Sequence, residues 1–148
     1  MNKTIAFGVN LMIGLLFLLG TSSVMAQQET KVKVTGMKSA KGKIILNVFK
    51  DDAQYNDEKP FKTFSFDKKA ISNGELTISV DLPQGTYGIT LVDDENGNGK
   101  IDKNLIGMPK EGFGFSNFYM EKLKKPAFND FKVDLKSTSD INIKVKYM

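Results

Sequence analysis

The sequence has no cysteine, no histidine, no arginine and no tryptophan. Each absence closes a class of chemistry. Without cysteine there is no disulfide staple and no cysteine-borne lipid anchor, so stability falls to a hydrophobic core, alone or helped by a bound ion. Without cysteine and histidine, most zinc sites, thiol nucleophiles and Ser-His-Asp catalysis are gone. Without arginine, all 21 basic residues are lysine. Lysine is a point charge, poorly suited to bidentate recognition of phosphate or guanine. The formal net charge is only +4, and the lysines are scattered. The densest cluster, "KLKK" at 122–125, reads as a solvated loop. The balance argues for solubility and against nucleic acid. Carboxylates, lysines, tyrosines and hydroxyls remain to carry any chemistry.

Long apolar runs are also scarce. The main one, Ile5 to Leu19, follows Lys3 and precedes "TSSVMA", with Val24 and Ala26 at the small-residue positions that a signal peptidase reads. Residues 1–26 are therefore predicted to be a secretory signal cleaved after Ala26, with residues 27–148 as one exported domain, periplasmic or extracellular. The rival reading is a retained anchor. The run is short for a span, which needs about 20 apolar residues, and Asn10 interrupts it.

From Gln27 onward the rhythm has a period of two. It runs through "KVKVTG" (31–36), "GKIILNVFK" (42–50), "PFKTFSFD" (60–67), "GELTISVDL" (74–82), "GTYGITLVD" (85–93), "AFNDFKVDL" (127–135) and "INIKVKYM" (141–148). Alternation places every second side chain on one face of a strand. "SNG" and "LPQG" supply turn chemistry between runs. "KDDAQYNDEKP" (50–60) has room for one helical turn before Pro60. The pattern predicts an all-β, antiparallel sandwich of about seven strands, immunoglobulin-like or transthyretin-like, with a small closed barrel as the second choice.

One stretch breaks the rhythm. In "DDENGNGKID" (93–102) acids, amides and glycines crowd together. From Asp94 the spacing is D-x-N-x-N-G-x-I-D, which matches a calcium loop of EF-hand type. Asp94, Asn96 and Asn98 stand at positions 1, 3 and 5, Gly99 at the tight turn, the Lys100 carbonyl at 7, the apolar Ile101 at 8 and Asp102 at 9. A hard cation wants six to eight oxygens, and a short chain delivers them only by curling. Position 12 departs from the pattern: Leu105 stands where an acid belongs. Glu111, beyond "GMPK", is the candidate replacement. The expected metal set is thus Asp94, Asn96, Asn98, Lys100, Asp102 and Glu111, with Ca²⁺ as the ion. The competing reading is a solvated turn whose Asp and Asn side chains bond their own backbone.

"LPQGTYGITLVDDENGNGKIDKNLIGMPKEGFGFSN" resembles the signature of domain of unknown function 2141, a family of exported bacterial proteins. Gly85, Tyr87, Asp94, Glu95, Asn96, Asn98, Gly99 and Asp102 carry its first block, and Gly107, Pro109, Glu111, Gly112, Gly114, Phe115, Ser116 and Asn117 its second. The resemblance implies no activity, but it ties Glu111 to the acidic loop. In "EGFGFSN", Phe113 and Phe115 read either as an aromatic ledge for a sugar or partner chain, or as rings plugging the end of the sandwich. Ser116 and Asn117 read as braces.

Three functions compete. The first is a non-catalytic, calcium-stabilised binding or accessory module of the envelope, with a protein or polysaccharide partner. The second is a metal- or carboxylate-dependent hydrolase using Asp94, Asp102 and Glu111. The third is a structural role through edge-strand pairing, against which the lysines of "INIKVKY" argue. No residue is assigned a catalytic or cofactor-binding role on the first reading.

Overall fold

A computed structural model describes residues 27–148, so the expected export signal at 1–26 lies outside the described residues. Eight strands and two short helices follow in order: β1 (Gln27–Thr35), β2 (Lys43–Phe49), α1 (Asp52–Asn56), β3 (Lys62–Asp67), β4 (Leu76–Pro83), β5 (Thr86–Asp94), β6 (Gly112–Phe115), α2 (Phe128–Phe131), β7 (Lys132–Asp134) and β8 (Asp140–Lys144). Among the described residues no helix is long and apolar enough to cross a membrane.

The strands form two sheets, β4-β1-β8 and β3-β2-β5-β6, with β7 also pairing β5. The fold is the all-β sandwich that alternation predicts, and every pairing is antiparallel except β1 with β8. In β4, Leu76, Ile78, Val80 and Leu82 are buried and the residues between them exposed. Each such side chain contributes about 1.5–3 kcal/mol of transfer free energy. Across the core they meet Ile44, Leu46 and Val48 of β2 and Ile89 and Leu91 of β5.

The β2–β5 sheet is covered on its outer face as well. Phe49, Phe113 and Phe115 there pack with Tyr55 of α1 and Phe128 and Phe131 of α2. Gly88 makes room for this layer: a Cβ there would lie 2.6 Å from the Phe131 ring and 2.7 Å from that of Phe128. A sheet buried on both faces explains why β2 is buried at Ile44, Ile45, Leu46, Val48 and Phe49 rather than at alternate positions.

Two segments differ from the sequence expectation. Residues 128–131 turn helical before the strand resumes at Lys132, with the Asp130 carboxylate accepting from the N–H of the extended cap residue Ala127 at 2.8 Å. "GFGF" forms β6, where only turns and rings were expected. Its glycines admit the neighbouring chain, since a Cβ at Gly112 would sit 2.6 Å from the Tyr147 ring and one at Gly114 2.5 Å from Ile143.

β6 and β7 share one edge of β5, and Ser116 joins them. Its fully buried hydroxyl accepts from the Ile89 N–H at 3.0 Å and donates to the Phe131 carbonyl at 2.6 Å. On the next edge, Asn117 exchanges hydrogen bonds with Asn142 of β8, both at 2.8 Å, and Phe113 bridges Lys146. One flank of the sandwich is thereby closed. Ser116 and Asn117 are braces, as their sequence context suggested.

Candidate metal loop and adjoining cleft

The chain leaves β5 at Asp94 and returns as β6 at Gly112, so the acidic segment is one long hairpin loop. Asp94 organises its first turn. One carboxylate oxygen accepts from the Gly97 and Asn98 N–H groups at 2.8 and 3.1 Å, and the other from Gly99 at 2.8 Å. Gly97 and Gly99 have φ of +74° and +78°, the left-handed backbone that glycine adopts without strain. Asn96 and Asn98 both turn their side-chain amides onto one Asp102 oxygen, at 2.6 and 2.9 Å. Ile101 packs against the aromatic layer, pinning the loop as an apolar eighth position should.

A smaller hairpin inside the loop brings Glu111 back. Lys103 bridges Pro109, and the Lys110 N–H donates to the Asp102 carbonyl at 2.7 Å. One Glu111 oxygen, Oε2, then accepts from the Asp102 N–H at 3.2 Å. The other, Oε1, is buried with no hydrogen-bond partner in a residue only 8% exposed. Burial raises the Glu111 pKa first, followed by the Asp94, Asp102 and Asp93 carboxylates, while the Asp102 N–H opposes them. Leu105, at position 12, is fully exposed with Ile106 at the loop tip.

The structure thus gathers Asp94, Asn96, Asn98, Asp102 and Glu111 in one folded segment, and Lys100 lies on the same turn with its N–H donating to Asn98. Among the described residues, no group of three or more Asp, Glu, His or Cys is close enough to hold a metal ion. The Asn96 and Asn98 side-chain oxygens accept from the Asn98 and Lys100 N–H groups at 3.0 and 2.9 Å, as in a turn that bonds its own backbone. Two features fit a cation nonetheless. Asp94 Oδ2 accepts a single hydrogen bond and keeps a lone pair. Glu111 Oε1 lacks any partner.

On the outer face of the β2–β5 sheet the loop walls a cleft of about 780 Å³. Its floor includes Asn47, Thr90, Val92, Phe113 and Phe115, and residues 99–103 and 107–109 line one side. Tyr55 and Met120 line it elsewhere. Phe113 and Phe115 are buried among the rings of this layer rather than standing out as a ledge.

Behind the loop, on the core side of β5, lies a group the sequence reading did not single out. Lys68 and Asp93 form an ion pair in which both side chains are 0% exposed. Tyr147 donates its hydroxyl to the other Asp93 oxygen and accepts from the Lys38 N–H at 3.1 Å. A signal existed. The parity of Phe64 and Phe66 carried one step further points Lys68 inward, and that of Tyr87, Ile89 and Leu91 does the same for Asp93.

A family model described as an uncharacterized protein conserved in bacteria (DUF2141) matches residues 32–143. No curated protein and no solved structure gives a significant match.

Proposed function

The chain belongs to the bacterial family DUF2141, and from that premise we propose that it is an exported, non-catalytic module whose acidic loop binds calcium and presents the adjoining cleft to a ligand. The observation that carries this reading is Glu111. A buried carboxylate oxygen with no partner, facing further carboxylates, is costly as it stands. A divalent cation held by Asp94, Asn96, Asn98, the Lys100 carbonyl, Asp102 and Glu111 removes that cost and replaces the acid missing at position 12.

The ion would act at a distance from any reaction. Residues 99–103 are both part of the loop and a wall of the cleft, so ordering the one shapes the other. The cleft volume is typical of sites for small ligands. Its half-buried Asn47 amide and Thr90 hydroxyl suit the hydroxyl groups of a sugar, which would hydrogen-bond there without a stacking platform. Polysaccharide is therefore favoured over protein as partner.

Calorimetric titration of the metal-free protein with Ca²⁺ tests the ion, and a glycan array with and without chelator tests the ligand. Heat on titration, lost in Asp94→Ala, and glycan binding weakened in Asn47→Ala are the expected results. No heat would remove the calcium reading. Heat without glycan binding would remove the sugar alone. Amino-terminal sequencing of the secreted chain tests export, with Gln27 expected first.

A further inference from the structure

Lys68, Asp93 and Tyr147 are neither among the ligands proposed for calcium nor in the lining of the cleft. We infer that it is a self-modification site, in which the Lys68 amine and the Asp93 carboxyl condense to an intramolecular amide that covalently joins the end of β3 to β5. The argument starts from placement. Lys68 Nζ is in direct contact with Asp93 Oδ1, both side chains being wholly out of water, and Tyr147 holds Asp93 Oδ2 through its hydroxyl. β2 lies between β3 and β5 in the sheet, so the new bond staples two strands across a third.

In water a lysine and an aspartate stay apart as ions, because hydration of each charge far outweighs their attraction. Burial reverses that preference. Two desolvated ions are held at a cost, and a neutral group of the same shape is frequently the more stable occupant. The interior also contains no bulk water to drive the reverse hydrolysis. Preset contact between the reacting atoms supplies the entropic advantage of an intramolecular reaction.

The step balances with no outside reagent. A bond forms between Lys68 Nζ and Asp93 Cγ, and the bond from Cγ to Oδ1 breaks. The ammonium gives up two of its three protons, both leave with Oδ1 as one water, and the product is a neutral secondary amide. Oδ2 becomes the amide carbonyl oxygen. The Tyr147 hydroxyl, already donating to it, stabilises the negative charge that Oδ2 bears in the tetrahedral intermediate, as a single-donor oxyanion hole. Tyr147 is held in turn by the Lys38 N–H. A chain without cysteine thereby obtains a cross-link that needs no oxidant.

The test is mass spectrometry of the purified, denatured secreted chain, with its amino terminus read from the same sample. The expected intact mass is one water below that of the sequence. Lysine-specific digestion should yield a branched peptide with two amino termini, Thr63 and Ala70, because acylated Lys68 is no longer cut. Lys68→Met should restore the full mass, and Asp93→Asn should reach the wild-type product mass by losing ammonia instead of water. Tyr147→Phe should lower the linked fraction while leaving the circular dichroism spectrum unchanged, which a merely structural tyrosine would not do. Full intact mass in the wild-type chain, with residues 63–68 recovered as a free peptide, overturns the proposal.

Discussion

Replacing Glu111 with glutamine should raise stability in chelator and abolish the increment that calcium gives. In chelator the wild-type side chain is a buried anion with one unpartnered oxygen beside Asp94, Asp102 and Asp93. An unsatisfied buried polar group costs about 1–3 kcal/mol. Glutamine fills the same volume, can still accept from the Asp102 N–H, and turns a donor toward the remaining carboxylates. Glu111→Gln should therefore stabilise the metal-free protein by about 1–2 kcal/mol. On the proposed calcium reading, the ion at about 1 mM, with the affinity of extracellular modules, should add roughly 0.4–1.4 kcal/mol to wild type. That is a melting rise of about 1–8 °C for a domain of this size, and the variant should show none. The pH dependence has a definite sign. Glu111 has a folded-state pKa raised above its ordinary 4.5, so its contribution is fully present below 4.5 and is lost as pH rises through the higher folded value. In chelator wild type should fall behind the variant across that window, and the calcium increment should grow across it. Paired thermal melts monitored by circular dichroism measure all of this. Equal calcium shifts in both proteins, or a variant that melts below wild type in chelator, would refute the reasoning.

Ser116→Ala should cost about 2–4 kcal/mol, because it strands the buried Ile89 N–H and Phe131 carbonyl; denaturant titration gives the value, and amide exchange at Ile89 should accelerate. Gly42→Ala puts a Cβ 2.0 Å from the Asp94 carbonyl oxygen at a φ of +74°, so it should destabilise by at least about 2 kcal/mol and shift the resonances of residues 94–102 if the loop is seated as described. In an alkaline ultraviolet titration Tyr55 should ionise late, near 12, because burial and then Asp52, Glu58 and Asp130 disfavour its phenolate. The stability it lends is complete below 10.0 and lost as pH rises through about 12, so Tyr55→Phe should flatten that limb of the pH–stability curve.

The parts legible in the sequence were those governed by short-range periodicity. β4 and β8 obey the rule of two because one face meets the core and the other meets solvent, so Leu76, Ile78, Val80, Leu82, Ile141 and Ile143 declare themselves. β6 stayed hidden because Gly112 and Gly114 signal a turn locally; what makes them a strand is the room they leave for Tyr147, Val145 and Ile143, which lie far along the chain. The helical turn at 128–131 was masked in the same way, since Phe131, Val133 and Leu135 alternate correctly while the preceding residues do not. The candidate site was legible in its oxygen-bearing residues, and Glu111 does fold back to Asp102 as its glycine and proline context suggested. The cleft was not legible, because its lining comes from stretches of chain as far apart as Asn47, Thr90, Phe113 and Met148, which only tertiary packing brings together. Lys68 and Asp93 are 25 residues apart, and their partnership is visible only when parity is followed past the strand ends.

The seam between β6 and β8 is tied by Asn117 to Asn142 and by Phe113 to Lys146, so a further strand could join that flank only by breaking those bonds. Among the described residues, β3, β4 and β7 keep a border without a strand neighbour, and backbone pairing with another chain would fall to them.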